Sequence, residues 1–414
     1  MILASNVIFY ILLFVVLYIQ VFLLVTLFES KKAKNIAQKN TGKKKYPSVT
    51  IVVPCFNEEK SLAKTIFSLL KLEYPKDKLS IFIVDDGSTD NTLNIAKKFE
   101  HNNSRIKVFH KENGGKYTAL NLGLKHAQSE FVGCLDADSY VEKDALVKIL
   151  EHFNESNIMA VTPALKVHEP RSILEYVQQT EYTIGIFLRK MFGRLQAIPI
   201  APGPFSIFRR KIFDMLGGYK HAHNTEDMEI AMRINANHYK IANCHDAYVH
   251  TIVPKTLRKL YKQRLRWTYG FIRNTINYRH LFFKKEYGHI GIFTLPAGIA
   301  SITAALYYVA YAILHFIQYL AGKFISFSSV NFELLWPEVN PDWFYIHINL
   351  PLIIMLTLVF GTIIFLFAGK KLAGERLRPS FSMVYFFALY GLIAPLWITK
   401  AVYNAIIAGR VMWR

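Results

Sequence analysis

From Ile2 to Phe28 the chain carries no charged residue. These 27 residues, wound as a helix rising 1.5 Å per residue, exceed a hydrocarbon core of about 30 Å. A secretory signal would start with a charge and have a shorter apolar stretch. Residues 1–28 are therefore read as a retained transmembrane helix; a buried helix of a soluble core fits this length poorly. After Glu29 come Lys31, Lys32, Lys34, Lys39, Lys43, Lys44 and Lys45 with no acid among them. This basic linker, 29–45, places the domain after it in the cytoplasm.

Three further stretches lack Lys, Arg, Asp and Glu: Ile290 to Gly322, Trp343 to Gly369 and Pro379 to Thr399. The first connection between them holds Lys323, Glu333, Glu338 and Asp342 and suits the outside. The second holds Lys370, Lys371, Glu375, Arg376 and Arg378 and suits the cytoplasm. Residues 290–414 thus read as about three spans. The last is either one long span kinked at Pro395 or a shorter span followed by an interfacial piece, because Lys400 interrupts it. This segregation reconciles a net charge of +20 with a chain that is 52% hydrophobic. Such hydrophobicity excludes disorder, and 3 Cys in 414 residues exclude a disulfide scaffold. Nucleic acid is not an expected partner, since the basic residues cluster beside the spans rather than in one soluble stripe.

Between the spans lie about 260 residues, within the range of one domain. Short apolar runs (Val49 to Val53, ended by Pro54; Ile81 to Val84; Ile106 to Phe109; Phe131 to Leu135) alternate with helical patterns over Ser61 to Leu72, Asn91 to Phe99 and Tyr117 to Ala127. That alternation predicts an α/β domain with a mostly parallel, Rossmann-like sheet, whose ligands bind beyond the carboxyl ends of the strands. Cys55, Cys134 and Cys244 have no metal-binding spacing and read as buried thiols. His221, His223 and His245 likewise read as structural.

Acidic residues collect at those strand ends: Glu58 after the first, Asp85-Asp86 after the second, Asp136-Ala137-Asp138 after the fourth. Turn and cap chemistry accounts for Ser88 to Asp90 but not for two adjacent carboxylates at a strand terminus. In extended chain Asp136 and Asp138 point the same way and can meet one hard cation. Thr225-Glu226-Asp227 reads as a helix start, with Thr225 as cap and acids in the first turn. From Lys255 to His280 there are eight Lys or Arg and no acid, with apolar residues near helical spacing. Residues 255–289 therefore read as a basic amphipathic helix region at the cytoplasmic leaflet.

Taken together, six stretches resemble the inverting family 2 glycosyltransferases of GT-A fold. They are Val53-Pro54-Cys55-Phe56-Asn57-Glu58, Val84-Asp85-Asp86-Gly87-Ser88, Glu112-Asn113-Gly114-Gly115-Lys116, Leu135-Asp136-Ala137-Asp138-Ser139, Thr225-Glu226-Asp227 and Gln263-Arg264-Leu265-Arg266-Trp267. The last is the Q-x-x-R-W signature of processive members, and the run from Val253 to Trp267 is most similar to poly-β-1,6-N-acetylglucosamine synthases. The resemblance implies a GT-A domain over 46–254 and a role for each matched residue. Phe56, Glu58 and Asp86 would hold the uridine, with Asp86 accepting from uracil or ribose, and Lys116 would sit near the nucleotide. Asp138 would bind Mg²⁺ or Mn²⁺, and Asp136 the metal or the donor sugar. Asp227 would be the catalytic base, although Glu226 is also competent on chemical grounds and otherwise lies at the acceptor. Arg266 would meet the diphosphate and Trp267 stack on the acceptor sugar, supported by Gln263 and Arg264. The segment Ile200-Ala201-Pro202-Gly203-Pro204-Phe205 departs from relatives by its two prolines, where the acceptor floor is expected. No C-terminal regulatory domain like that of cellulose synthases is found.

The implied activity is a processive inverting β-transfer from a UDP-sugar, with UDP-N-acetylglucosamine as the expected donor. It would run at the cytoplasmic face of the cell (inner) membrane and pass the polysaccharide across. Expected partners are the donor, the growing polysaccharide, the lipid bilayer and an accessory membrane subunit. Two alternatives stand beside it: a single-transfer enzyme acting on a lipid-linked acceptor, and a polysaccharide transport component with a vestigial catalytic domain.

Overall fold

The computed structural model describes residues 2–33, 46–329 and 350–407. Most of the basic linker (34–45), the acidic connection holding Glu333, Glu338 and Asp342, and Arg410 and Arg414 lie outside the described residues. The chain divides into two units, Met1–Leu24 with Ala297–Ile364, and Val25–Pro296 with Phe365–Arg414.

The larger unit is built on an eight-stranded sheet. Its strands are β1 (Val49–Cys55), β2 (Leu79–Asp85), β3 (Ile106–His110), β4 (Phe131–Cys134), β5 (Ser139–Val141), β6 (Ile158–Val167), β7 (Ile207–Arg209) and β8 (Lys240–Thr251). Their order is β3-β2-β1-β4-β7-β6-β8-β5. The first four run parallel, β7 is antiparallel to both β4 and β6, β8 is parallel to β6, and β5 closes the edge antiparallel to β8. The expected α/β class, a parallel-rich sheet covered by helices, is what the chain forms.

The sheet's position follows from alternation along β1. Ile51, Val53 and Cys55 point to one face, with Ile81 and Ile83 of β2. That face is covered by α2 (Leu62–Leu70) and α3 (Thr92–Asn102), and by α5 (Ala145–Leu150). Val52, Phe82, Val84 and Val132 point to the other, under α4 (Lys116–His126), α7 (Lys211–Leu216) and α8 (Glu226–Ala236). Ile51, Ile81 and Ile83 are fully buried, each stabilising the fold by about 1.5–3 kcal/mol.

One expected boundary moves. β1 continues through Pro54 to Cys55 instead of ending before it. Val52 accepts from Leu135 N, so two residues later the proline nitrogen faces the β4 side, where pairing has already stopped at Val52↔Cys134. No ladder hydrogen bond is lost there.

Two long helices follow. α6 (Ile173–Arg194) starts with a capping box, Ser172 with Glu175, and α9 (Leu257–Asn277) is capped by Thr256. α9 buries Leu260, Arg264, Leu265, Tyr269 and Ile272 while Arg258, Lys259 and Lys262 stay exposed. α12 (Phe381–Ile406) packs on α6 and α9 as one continuous helix through Pro395 and Lys400.

Among the described residues four helices are long and apolar enough to cross a membrane: Val7–Phe28 within α1 (Ile2–Ala33), Ile290–Phe324, which ends in α10 (Leu295–Ser329), α11 (Leu350–Leu372) and α12. In the smaller unit Gln20 of α1, itself buried, donates to Leu358 O at 2.9 Å and to Thr362 Oγ1 at 3.2 Å on α11. Tyr308 of α10 donates to Phe9 O at 3.1 Å. Such polar ties join helices where the surroundings offer no other partner.

Candidate active site

The carboxyl ends of β1, β2 and β4 open into a cavity of about 320 Å³ lined by Phe56, Glu58, Asp86, Asp136 and Asp138, with Lys116 and Arg266. β1 is the switch point of the sheet, with β2 on one side and β4 on the other, the place where open α/β sheets bind ligands. A second cavity, about 490 Å³, shares Lys116, Asp136, Asp138 and Arg266 with the first and adds Glu226, Asp227, Gln263 and Trp267. Every site residue expected from the sequence except Arg264 therefore lines one of two adjoining cavities.

On the first side, the two adjacent carboxylates of β2 diverge. Asp85 is fully buried, its Oδ2 at 2.7 Å from His110 Nδ1. Asp86 faces the cavity and accepts from Gly114 N (3.1 Å), Gly115 N (2.8 Å) and Lys111 Nζ (2.7 Å). Gly115 sits at φ +91, a conformation that favours glycine, and so turns the chain into α4 with Lys116 as its first residue. Lys116 Nζ then lies 2.5 Å from Asp136 and 3.4 Å from Glu226. Lys111 was not anticipated; its place just after β3 gives no motif to find it by.

Asp136 and Asp138 do face the same cavities, but not in extended chain. Ser139 N donates to Asp136 O at 3.0 Å, so the segment is a turn. Thr65 Oγ1 pins it by donating to Ala137 O at 2.7 Å. Burial pushes the Asp138 carboxyl up to about 7, with the neighbouring Asp136 and Glu58 charges adding to it. Around the smaller cavity the four carboxylates of Glu58, Asp86, Asp136 and Asp138 outnumber the two cations, Lys116 and Arg266. Among the described residues no three His, Cys, Asp or Glu side chains enclose an ion alone. A divalent cation that shares its shell with phosphate oxygens needs only one or two carboxylates, and the surplus negative charge fits one.

Gly203 lines the larger cavity beside Lys116 and Asp136. A Cβ there would fall 2.6 Å from Lys116 Nζ and 2.9 Å from Asp136 Oδ1, so the proline-flanked segment 200–205, which departs from the expected pattern, brings bare backbone against the ion pair.

The turn into α8 runs through three left-handed residues, Ala222, His223 and Asn224. Arg266 Nη1 steadies it by donating to Asn224 O at 2.6 Å. Thr225 does not cap the helix as expected: its hydroxyl donates to Ala222 O at 2.7 Å and accepts from Asn274 at 2.9 Å. Asp227 Oδ1 instead takes the Met228 amide at 2.9 Å, leaving Oδ2 without a partner among the described residues. Burial, then the Glu226 charge, pushes the Asp227 carboxyl up to about 6, against the pull of Lys116 and Arg266.

Arg264 turns away from both cavities. Its guanidinium pairs with Glu181 of α6, Nε to Oε1 at 3.0 Å and Nη2 to Oε2 at 2.5 Å, and lies 4.3 Å from the Trp267 ring centre. Arg189, also on α6, lines the larger cavity with no hydrogen bond or ion pair among the described residues. Neither acid nor base on α6 belonged to a recognised motif.

Residues 50–217 match the sequence profile of Glycosyl transferase family 2. This stretch is a family 2 glycosyl transferase domain. The match holds Phe56, Glu58, Asp86, Lys116, Asp136 and Asp138 and stops short of Asp227 and the Gln263–Trp267 segment. Poly-beta-1,6-N-acetyl-D-glucosamine synthases of Staphylococcus aureus (strain COL) and Staphylococcus epidermidis are each 34% identical, over 224 and 225 residues, 54% of this chain and 54% of theirs. The chain therefore spans about half the length of the curated relatives it matches. A solved mannosyltransferase from Pyrobaculum calidifontis in complex with GDP-Man and Mn²⁺ covers 95% of this chain and 100% of its own at a TM-score of 0.59 and 19% identity. That likeness is one of fold: the glycosyl transferase domain is of GT-A type.

Proposed function

We propose that the chain is a processive inverting β-glycosyltransferase that polymerises sugar from UDP-N-acetylglucosamine at the cytoplasmic face of the cell membrane and passes the product across. The observation that carries the transferase reading is the pair of cavities joined at Lys116, Asp136, Asp138 and Arg266, with Asp227 on the far side. The donor choice rests on the synthases that share 34% identity. The test is UDP release from UDP-N-acetylglucosamine by the full-length membrane protein, with product mass; absence of UDP release removes the donor assignment, and a single added sugar removes processivity.

In this reading Phe56, Glu58 and Asp86 hold the uridine, and Asp86 also fixes the Gly114-Gly115 turn that presents Lys116. Asp138 and Asp136 would hold Mg²⁺ or Mn²⁺, which supplies Lewis-acid stabilisation of the departing diphosphate. Arg266 adds a fork suited to phosphate oxygens. Asp227 takes the proton of the acceptor hydroxyl as it attacks the anomeric carbon. The geometry favours Asp227 over Glu226 for this step, because Glu226 is engaged with Lys116 while Asp227 Oδ2 is free. Trp267 and Gln263 face the acceptor.

A base works only when deprotonated, so its raised proton affinity sets the acid limb of the rate. Transfer is expected to fall about tenfold per pH unit below about 6. Because the Glu226 charge raises Asp227, Glu226→Gln moves that limb to lower pH. A pH–rate profile at saturating donor checks both, and a limb unmoved in Glu226→Gln speaks against Asp227 as the titrating base.

A second reading, single transfer to a lipid-linked acceptor, is favoured by one observation. Arg189 presents an unpartnered guanidinium to the acceptor cavity, as an anionic group on the acceptor requires. Arg189→Gln should then raise the KM of a polyprenyl-phosphate acceptor and leave that of a neutral oligosaccharide unchanged. Equal KM changes for both would remove this reading.

A further inference from the structure

Beyond the residues that meet donor and acceptor, the larger unit contains a polar clasp joining three helices behind Trp267. Its centre is the Glu181 carboxylate of α6. Arg264 of α9 binds it through two nitrogens, at 3.0 and 2.5 Å. Tyr390 of α12 donates its hydroxyl to Oε2 of the same carboxylate. The remaining edge of the Arg264 guanidinium donates to Gln263 Oε1, and the face of the guanidinium lies over Trp267 at 4.3 Å. Around it Thr180 donates to Ser382 Oγ at 3.1 Å, and Trp397 meets the Tyr390 ring edge-on at 5.6 Å.

A guanidinium this deeply buried (5% exposed) costs desolvation that only a well-oriented partner offsets, so its plane is fixed by Glu181. A fixed plane fixes what stacks on it. Trp267 and Gln263 line the acceptor cavity while Arg264 does not. The clasp therefore reaches the acceptor only through the residues it holds.

Resting on the glycosyltransferase reading, we propose that Glu181 and Tyr390 are positioning residues: with Arg264 they lock Trp267 and Gln263 against the acceptor and make α12 part of the acceptor site. Loss of the clasp uncouples transfer from donor cleavage. The donor bond still breaks, with water taking the place of the acceptor hydroxyl, so UDP and free sugar form without a new glycosidic bond.

Tyr390→Phe removes one hydroxyl and keeps the ring against Trp397. In the full-length protein, sugar transferred per UDP released should fall about tenfold and the acceptor KM should rise, with the donor KM and the total rate of UDP release unchanged. Glu181→Gln should lower the same ratio further, and Glu181→Asp should recover part of it. An unchanged ratio, or a fall in transfer matched by an equal fall in UDP release, overturns the proposal. Trp267 emission, obtained by subtracting the spectrum of Trp267→Phe in each background, gives a readout independent of turnover. It should shift in Tyr390→Phe, and an unshifted spectrum overturns the clasp. Wild type that cleaves no nucleotide sugar sinks the enzyme reading instead, and the emission measurement still decides the clasp.

Discussion

Asp227→Asn is expected to lower sugar transfer by about 10²–10⁴-fold, the range a positioned general base contributes, while donor affinity stays within about twofold of wild type. The asymmetry follows from position. Asp227 lines the acceptor-side cavity and not the donor-side one, so an isosteric amide removes the proton acceptor and leaves the uridine pocket intact. Asn keeps a side-chain oxygen for the Met228 amide, so the first turn of α8 should survive. Nucleotide binding by calorimetry and transfer by product analysis separate the two effects. A variant that transfers at the wild-type rate removes Asp227 from the base role. One that loses donor binding in parallel makes it a donor ligand.

Asp138→Asn should also lower transfer more than about 100-fold, a loss of the size expected when Lewis-acid stabilisation worth several kcal/mol is removed. Its second signature is a gain in stability. The folded state raises the affinity of Asp138 for its proton to about 7. The ionised carboxylate is therefore a destabilising contribution that grows as pH rises from about 4 through about 7. Removing a charge held against Asp136 and Glu58 should stabilise the metal-free protein by about 1 kcal/mol. For a domain this size that is a rise of about 2–4 °C in Tm at pH 8 in the presence of a chelator. Mn²⁺ should raise the Tm of wild type and leave that of the variant unmoved. An equal Mn²⁺ response in both would place the cation elsewhere, and a lower Tm for the variant would mean that Asp138 serves the fold.

Much of this was legible from residue patterns because the features concerned are local. Uncharged stretches fix the apolar helices, and alternation along β1 to β4 fixes which strand ends converge, so Glu58, Asp86, Asp136 and Asp138 could be gathered before any coordinates. The misses are tertiary. Whether Pro54 interrupts a strand depends on where β4 stops. Whether Thr225 caps α8 depends on Asn274, 49 residues away, which engages its hydroxyl. The largest omission was α6, although the spacing of Ser172 and Glu175 signalled its start. With it went Glu181 and Arg189, neither of which has chemistry until α9 and the cavity are placed beside it. Arg264 shows the same limit from the other side: its motif suggested a support for Trp267, and the partner that fixes it there, Glu181 of α6, was not in any motif.

The most direct measurement incubates the full-length membrane protein with UDP-N-acetylglucosamine and Mn²⁺ or Mg²⁺, with GDP-mannose as the parallel donor, and follows both nucleotide release and product mass. UDP release together with a ladder of products that each contain many N-acetylglucosamine units is the predicted result. No UDP release, release from GDP-mannose alone, or a product carrying one added sugar would contradict it.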